Sequence, residues 1–384
     1  MALTISKFLG LHNTTDPKAM PAGALTTANN IDILREGFVK RRNGYAKSLS
    51  CTSITSSYVT KDASRLFIVD SGNLKLVNAD LTVRTLATGF PSTRLYWDDA
   101  SGYTFISNAK VIYPDNSVHD LNIPDPVQPN TTITTGNLSA GRYQVAITYM
   151  NSNGREGSVS LPFVREVTDD AGIVVEPEFI SGYSCNIYVS AADGDLLYRA
   201  INISQGSYLI SDVSRLSEPI DDKQIGTTQP PDNIEHLCYF EGKLYVTTSY
   251  QGHSFVWFSQ DYWWNLFDSQ KDYFTLVGKI TCLKATIHGL VIGTDHELWL
   301  FKEDTLTKLA DYGVPEGLAV VTDSVGNVLI WTKRGVCTLP FSNITETKVS
   351  LITGSHVSSA IINDAGQKRF IVLSDDQGSA YNAF

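Results

Sequence analysis

The side chains that could do chemistry are few and scattered. His288, Asp295 and His296 can be combined on paper into a metal site, but they flank hairpin turns, where His and Asp are common. The expectation is therefore no metal there. Carboxylate pairs occur at Asp98-Asp99, Asp169-Asp170, Asp221-Asp222 and Asp375-Asp376. Each reads as a turn, where aspartate is favoured because its side chain accepts from local amides. No nucleophile elbow, phosphate-cradling glycine loop, HExxH pair or paired-cysteine spacing is present. The five cysteines stand singly, at 51, 185, 238, 282 and 337. An odd count without CxxC spacing points to free buried thiols rather than a disulfide framework or a zinc site. A glycan-cleaving propeller enzyme would need carboxylates on its inner strands. The runs read as inner strands, Leu66 to Val69 and Leu290 to Ile292, are nearly pure aliphatic, so no enzyme and no cofactor are expected.

What must position any such residues is a repeating β pattern. The run Asn233 to Ser259 holds three short apolar strands separated by Glu241-Gly242 and Gln251-Gly252. Glycine-containing turns between strands of this length make an antiparallel meander. The rhythm recurs over Tyr58 to Val77, Leu95 to Tyr113, Cys282 to Phe301, Leu318 to Leu339 and Ala360 to Tyr381. Middle strands centre near Phe67, Phe105, Tyr245, Val291, Leu329 and Ile371, about 40 residues apart except for one larger gap, a spacing that suits propeller blades. The expectation is an all-β protein, a β-propeller of about six blades; an irregular sandwich of look-alike hairpins is the alternative.

The gap falls between about Ile123 and Pro230. Prolines at 124, 126 and 129 open it, and Gly226 with Pro230-Pro231 closes it. Within it, Tyr143, Val145, Ile147 and Tyr149 alternate, and roughly seven short strands suit an immunoglobulin- or fibronectin-like β-sandwich. It is read as an insertion in a propeller loop, facing outward or touching a neighbouring subunit. The expected organisation is thus 1–50 extended segment and hairpin, 51–122 first blades, 123–230 inserted sandwich, and 231–384 remaining blades.

Residues 1–50 do not follow the blade rhythm. Pro17, Pro21 and Gly23 punctuate an extended stretch, and a hairpin is expected around Glu36-Gly37, ending in Lys40, Arg41 and Arg42. Gly10-Leu11, Asp16-Pro17, Pro21, Gly23-Ala24-Leu25, Asn30-Ile31-Asp32, Gly37, Arg41-Arg42 and Gly44-Tyr45, followed by short β repeats, resemble virion structural proteins of tailed bacteriophages. The match is nearest to β-propeller tail-hub or tail-nozzle proteins below the portal and adaptor. Val256-Trp257-Phe258-Ser259 with Trp263-Trp264 is similar to a segment of those propellers, without the proline often found between. The resemblance implies a virion tail component that assembles in the host bacterial cytoplasm. It would form a homo-oligomeric, six-fold ring, contact the portal or adaptor and other tail proteins, and let the genome exit.

The formal net charge of -10 agrees with transient passage of DNA without tight binding, because an acidic wall repels phosphate. The stretch from Gln260 to Phe274 is dense in aromatic rings, which commonly anchor interfaces. Tyr262, Trp263, Trp264 and Phe267, with Arg41, Arg42 and Tyr45, are the candidate subunit-interface residues. A receptor- or glycan-binding tail protein is the alternative function. No run is long and apolar enough for a membrane span, so no membrane insertion is expected, and MALTISKFLG does not have the make-up of a signal peptide.

Overall fold

The computed structural model describes residues 7–14, 16–28, 31–33, 37–41, 47–214, 216, 218–345, 354–364, 367–375 and 380–383. Among these the chain is all-β, with two short 3-10 turns at Pro17–Ala19 and Asp222–Gln224. No helix among the described residues is long and apolar enough to cross a membrane.

Six antiparallel-rich sheets follow the repeat. The first runs through Ile54–Val59, Leu66–Asp70, Asn73–Val77 and Val83–Thr88, and the second through Trp97–Ala100, Tyr103–Ile106, Lys110–Ile112 and Val118–Asp120. The third holds His236–Phe240, Lys243–Tyr250 and His253–Gln260, whose two halves pair with Tyr273–Val277 and Trp263–Phe267. The fourth is Ile280–Thr286, Gly289–Thr294, Leu298–Lys302 and Thr305–Ala310; the fifth is Val320–Thr322, Val328–Thr332, Gly335–Leu339 and Ser342–Asn343. The sixth places Glu316–Leu318 parallel to His356–Asp364, followed by Gln367–Ser374 and Ala380–Ala383. Five of the six expected centres lie in the second strand of a sheet; Ile371 lies in the third strand of the sixth, because Glu316–Leu318 is added in parallel ahead of His356–Asp364.

The local reason is a recurring two-residue turn. Ser71-Gly72, Ser101-Gly102, Glu241-Gly242 and Gln251-Gly252 each place both residues at positive φ, between 46° and 85°. That backbone matches the right-handed twist of the flanking strands, and glycine adopts it without a Cβ penalty.

Packing then explains why the second strands read as continuous apolar runs. Along Gly289–Thr294, Leu290 and Ile292 join a core with Cys238, Tyr245 and Val256 of the third sheet. Val291 between them joins a core with Ile330, Trp331 and Phe370 of the fifth and sixth. Phe105 and Ile106 divide in the same way between the third and first sheets. Side chains alternate across a strand, so a strand between two sheets is buried on both faces.

This stacking corrects the assignment of inner strands. Leu66–Asp70 and Gly289–Thr294 are second strands, not the innermost. It is the first strands that converge: Trp97–Ala100 with His236–Phe240, that strand with Ile280–Thr286, and that in turn with Glu316–Leu318 and Val320–Thr322. In the first sheet, Ser56 Oγ donates to Leu95 O and accepts from Trp97 Nε1, each at 2.9 Å.

One strand is shared. Trp331 N donates to Ala319 O, at the point where the chain leaves the sixth sheet for the fifth. Gly317 there has φ +120°, and a Cβ would sit 2.2 Å from Val357 O and 2.2 Å from Arg94 Nη1. Gly317→Ala should destabilise the protein by about 2 kcal/mol, read as a lower urea midpoint at unchanged m-value.

Between the second and third sheets lie eight strands in two further sheets. Asn130–Leu138, Ala171–Glu176 and Tyr208–Ile210 form one. Gly141–Asn151, Glu156–Val159, Phe163–Val167, Tyr183–Ser190 and Leu197–Ile203 form the other. The two share a core of Tyr143, Val145, Ile147 and Tyr149 with Ile173, Val175, Cys185 and Ile187. The expected alternation is therefore the inward face of one strand.

The described strands of the N-terminal segment pair with one another. Gly10–Leu11 pairs in parallel with Ala24–Leu25, and Ile31–Ile33 pairs with Val39–Arg41 as the expected hairpin.

Candidate functional site

Because the first strands converge, the residues at their starts meet. Arg94 precedes the second sheet; His236, Lys279 and Glu316 stand at or immediately before the first strands of the third, fourth and sixth, and His356 opens the second strand of the sixth. Arg94 donates through Nη1 to Val357 O at 2.9 Å and through Nη2 to Ser358 Oγ, tying the start of the second sheet to the sixth. Lys279 Nζ lies 2.6 Å from Glu316 Oε2, and His356 Nε2 lies 3.9 Å from the same oxygen. His356 Nδ1 is 2.9 Å from Asp375 Oδ2, and Asp375 also accepts from the amides of Ser355 and His356.

His236 is 2% exposed. Its Nδ1 is 3.3 Å from Thr247 Oγ1, its ring centroid is 4.0 Å from that of Tyr96, and its Nε2 has no partner in hydrogen-bonding geometry. Burial lowers the His236 pKa to about 4, so the ring is neutral at pH 7. Burial alone would raise the Glu316 carboxyl, but the Lys279 ammonium outweighs it and holds the group below its ordinary range. These residues border a cavity of about 350 Å³ lined by Arg94, Leu95, Ser107, Asn108, His236, Lys279 and Glu316, among others.

Further along the same strands sits a second polar cluster. Asp98 is 1% exposed and lies 2.8 Å from Lys61 Nζ and 4.0 Å from Lys284 Nζ. Its other oxygen accepts from Tyr239 N at 2.8 Å. Burial would raise this carboxyl, yet Lys284 and Lys61 keep it below its usual range. Tyr58 donates to Asp99 at 2.5 Å, and burial with the Asp98 charge pushes its phenol far up. Asp98-Asp99 is thus a strand feature, not the turn expected from sequence. Of the other pairs, Asp221 is a local cap that accepts from Lys223 N, whereas Asp169 accepts from Ala140 N and Asp375 from the Ser355 and His356 amides, each tying its turn to a distant segment.

The expected interface residues divide. Trp264 and Phe267 are 5% and 1% exposed and pack with Phe105, Tyr113 and Leu244, so they are not on the chain's surface. The physical reason is that Trp263–Phe267 is a strand pairing with the end of His253–Gln260, not an open loop. Trp263 is half-buried, and Tyr262 is 73% exposed. Arg41 is exposed, whereas Arg42 and Tyr45 lie outside the described residues.

The aromatic strand seats the inserted unit. The Arg155 guanidinium lies 4.8 Å from the Trp263 ring and 4.5 Å from the Trp264 ring. It also donates to Asn265 Oδ1 at 2.7 Å and Tyr262 O at 3.0 Å, while Asn265 Nδ2 donates to Glu156 O. Arg155→Ala should cost about 2 kcal/mol, since it forfeits the cation–π contacts and leaves the buried Asn265 oxygen unpaired. Limited proteolysis should then cut faster in 121–130 and 211–235, with Arg155→Lys failing to restore protection because it lacks the planar fork.

The paper metal site does not assemble. His288 and the Asp295-His296 pair lie at opposite ends of the strand Gly289–Thr294, about 20 Å apart at the usual rise. Among the described residues no group of three or more His, Cys, Asp or Glu is placed to hold a metal ion. None of the five cysteines is joined in a disulfide; Cys185, Cys238, Cys282 and Cys337 are buried and Cys51 is partly so.

No family model and no curated protein matches the chain. Among solved structures it is similar to the Dos1 propeller, at 9% identity and TM-score 0.38, covering 92% of this chain and 80% of that one. It is also similar to BamB from Moraxella catarrhalis, at 13% identity and TM-score 0.34, covering 93% and 92%. A third is BBS1N in complex with ARL6DN, at 12% identity and TM-score 0.34, covering 87% and 93%. The sheet order by itself defines an all-β protein whose short, mostly antiparallel sheets stack with their first strands converging, as in a propeller. These likenesses carry nothing about activity or partners.

Proposed function

We propose that the chain is a structural component of a bacteriophage tail, a six-bladed propeller carrying an immunoglobulin- or fibronectin-like insertion, which assembles into a ring through which the genome exits. The observation that carries this reading is the N-terminal segment. Its residues resemble those of tail-hub and nozzle proteins, and it folds as a separate parallel bridge and hairpin. The hairpin presents Phe38 (64% exposed) and Val39 (38%) beside exposed Lys40 and Arg41. Adjacent exposed apolar side chains of this size suit a surface that another chain covers. The acidic balance suits a conduit, because a basic lumen would hold the duplex by counterion release at each step.

Negative-stain electron microscopy with native mass spectrometry of the full chain tests the reading. The expected result is a closed ring of about six copies with a hole wide enough for duplex DNA, lost when residues 1–50 are removed. A chain that stays monomeric and does not bind a portal–adaptor assembly overturns it. Tight binding of the ring to duplex DNA at low salt overturns the conduit.

A further inference from the structure

We propose, resting on the ring reading above, that the N-terminal hairpin of one copy docks head-to-tail on the uncovered face of the sixth sheet of a second copy. The register of the sixth sheet puts Val357, Ile361, Phe370 and Val372 on one face, and these join the core shared with the fourth and fifth sheets. Its other face carries Ala360, Ile362, Ile371 and Leu373. Leu373 is 54% exposed and Ala360 is exposed, while the two isoleucines are half-buried. Among the described residues none of these four belongs to a hydrophobic core, and the core of the first sheet is shared with the second and not with the sixth. The second strand of the fourth sheet gives the contrast, since Leu290, Val291 and Ile292 are buried on both faces. The sixth sheet is thus packed on one side and carries apolar side chains into solvent on the other.

Charge decides what covers that face. Residues 1–50 hold seven Lys and Arg against three Asp and Glu, a net +4, whereas residues 51–384 hold 23 against 37, a net -14. A basic arm on an acidic body attracts a second copy and steers its approach, and the contact weakens as salt rises. The arm also has apolar groups to bury: Phe38 is 64% exposed and Val39 stands beside it, followed by exposed Lys40 and Arg41. Both surfaces are open in the same chain, so the hairpin does not cover its own sixth sheet. A two-stranded hairpin gains firm stability only when packed on something else. The tether is long enough to cross to a neighbour. Thr52 N and Ser53 N donate to Asp70 Oδ1 at 3.1 and 2.7 Å, which leaves residues 42–51 between the hairpin and the first sheet, a span of at most about 35 Å. Because the two surfaces differ, each copy both gives and receives, and such a contact closes into a ring where its rotation allows.

Sedimentation velocity with native mass spectrometry on the full chain tests this, using Phe38→Asp for the arm and Leu373→Lys for the sheet. Both residues are exposed, so each variant should keep the parent's thermal midpoint within a few degrees. The parent should associate, with a dissociation constant at least tenfold weaker at about 500 mM NaCl than at about 50 mM. Each variant alone should be monomeric at concentrations where the parent is assembled. An equimolar mixture of the two should give a 1:1 heterodimer and nothing larger, because only the arm of the Leu373→Lys chain can meet the sheet of the Phe38→Asp chain. A parent that stays monomeric overturns the contact, whereas the ring reading then still turns on binding to the portal–adaptor assembly. Assembly of either variant as in the parent overturns the contact and leaves the ring reading standing. So does a mixture without heterodimer. A lower thermal midpoint in both variants with the mass unchanged would place the arm on its own sheet and overturn it too. If Leu373→Lys fails to fold, Ala360→Lys takes its place in every measurement.

Discussion

Asp98→Ala should lower the unfolding free energy by about 3–5 kcal/mol, the largest loss expected from any single substitution considered. The carboxylate is 1% exposed and holds together groups from three other sheets or their connections: Lys61, Lys284, Tyr239 N and, at 3.4 Å, the Tyr58 hydroxyl. Removing it leaves the Lys284 ammonium, 4.0 Å away, without this charge partner and the Tyr239 amide without its acceptor. Asp98→Asn should cost less, because an amide oxygen can still accept from Tyr239. The instructive variant is the double one. Replacing a buried ion pair by apolar groups is often near neutral, so Asp98→Leu with Lys284→Met should regain most of what Asp98→Ala loses. Urea unfolding measures all three; a double variant no more stable than Asp98→Ala would show that the Tyr239 amide, not the charge, carries the cost.

Lowering the pH from 6.5 to 4 should remove roughly 3 kcal/mol through His236 alone. In the unfolded chain this imidazole takes up a proton near pH 6.5, whereas burial delays protonation in the folded chain to about pH 4. Between those values the unfolded state binds more protons, so stability falls as pH falls. The carboxylates held low by ion pairs, Asp98 and Glu316 among them, lose their contribution as pH falls further. Asp125 and Asp272, which burial raises, act in the opposite direction. The comparison that isolates the histidine is therefore His236→Phe, which keeps a ring against Tyr96. Its stability should be flatter than the parent's between pH 6.5 and 4, measured by chemical unfolding at each pH. Parallel curves for the two proteins would refute the assignment.

Much of the architecture was legible because it rests on local rules. The X-Gly turns at 72, 102, 242 and 252 force hairpins wherever they occur. The apolar runs around Phe67, Phe105 and Val291 are long enough for a strand and too short for most helices, so each sheet could be placed by its second strand. The interruption from Ile123 to Pro230 was visible as lost rhythm, and it holds the two additional sheets. The four buried thiols follow from cysteine within apolar runs.

The site was not legible, for a reason of periodicity. Apolar runs mark the strands buried on both faces, and those are second strands. The first strands, which meet one another, are mixed in polarity because part of each faces a cavity or an ion pair. Arg94, His236, Lys279, Glu316 and His356 are separated by up to 262 residues, and nothing in their spacing relates them. Trp264 and Phe267 were misjudged as surface anchors for a similar reason. An aromatic cluster reads the same whether it meets another chain or Arg155 and Phe105 of its own. By itself the sequence determined the turns, the strands and their repeat, since these are properties of neighbouring residues. Which strand lies innermost, which charges are paired there, and which aromatic rings are covered by the inserted unit were decided only when non-local packing brought distant segments together.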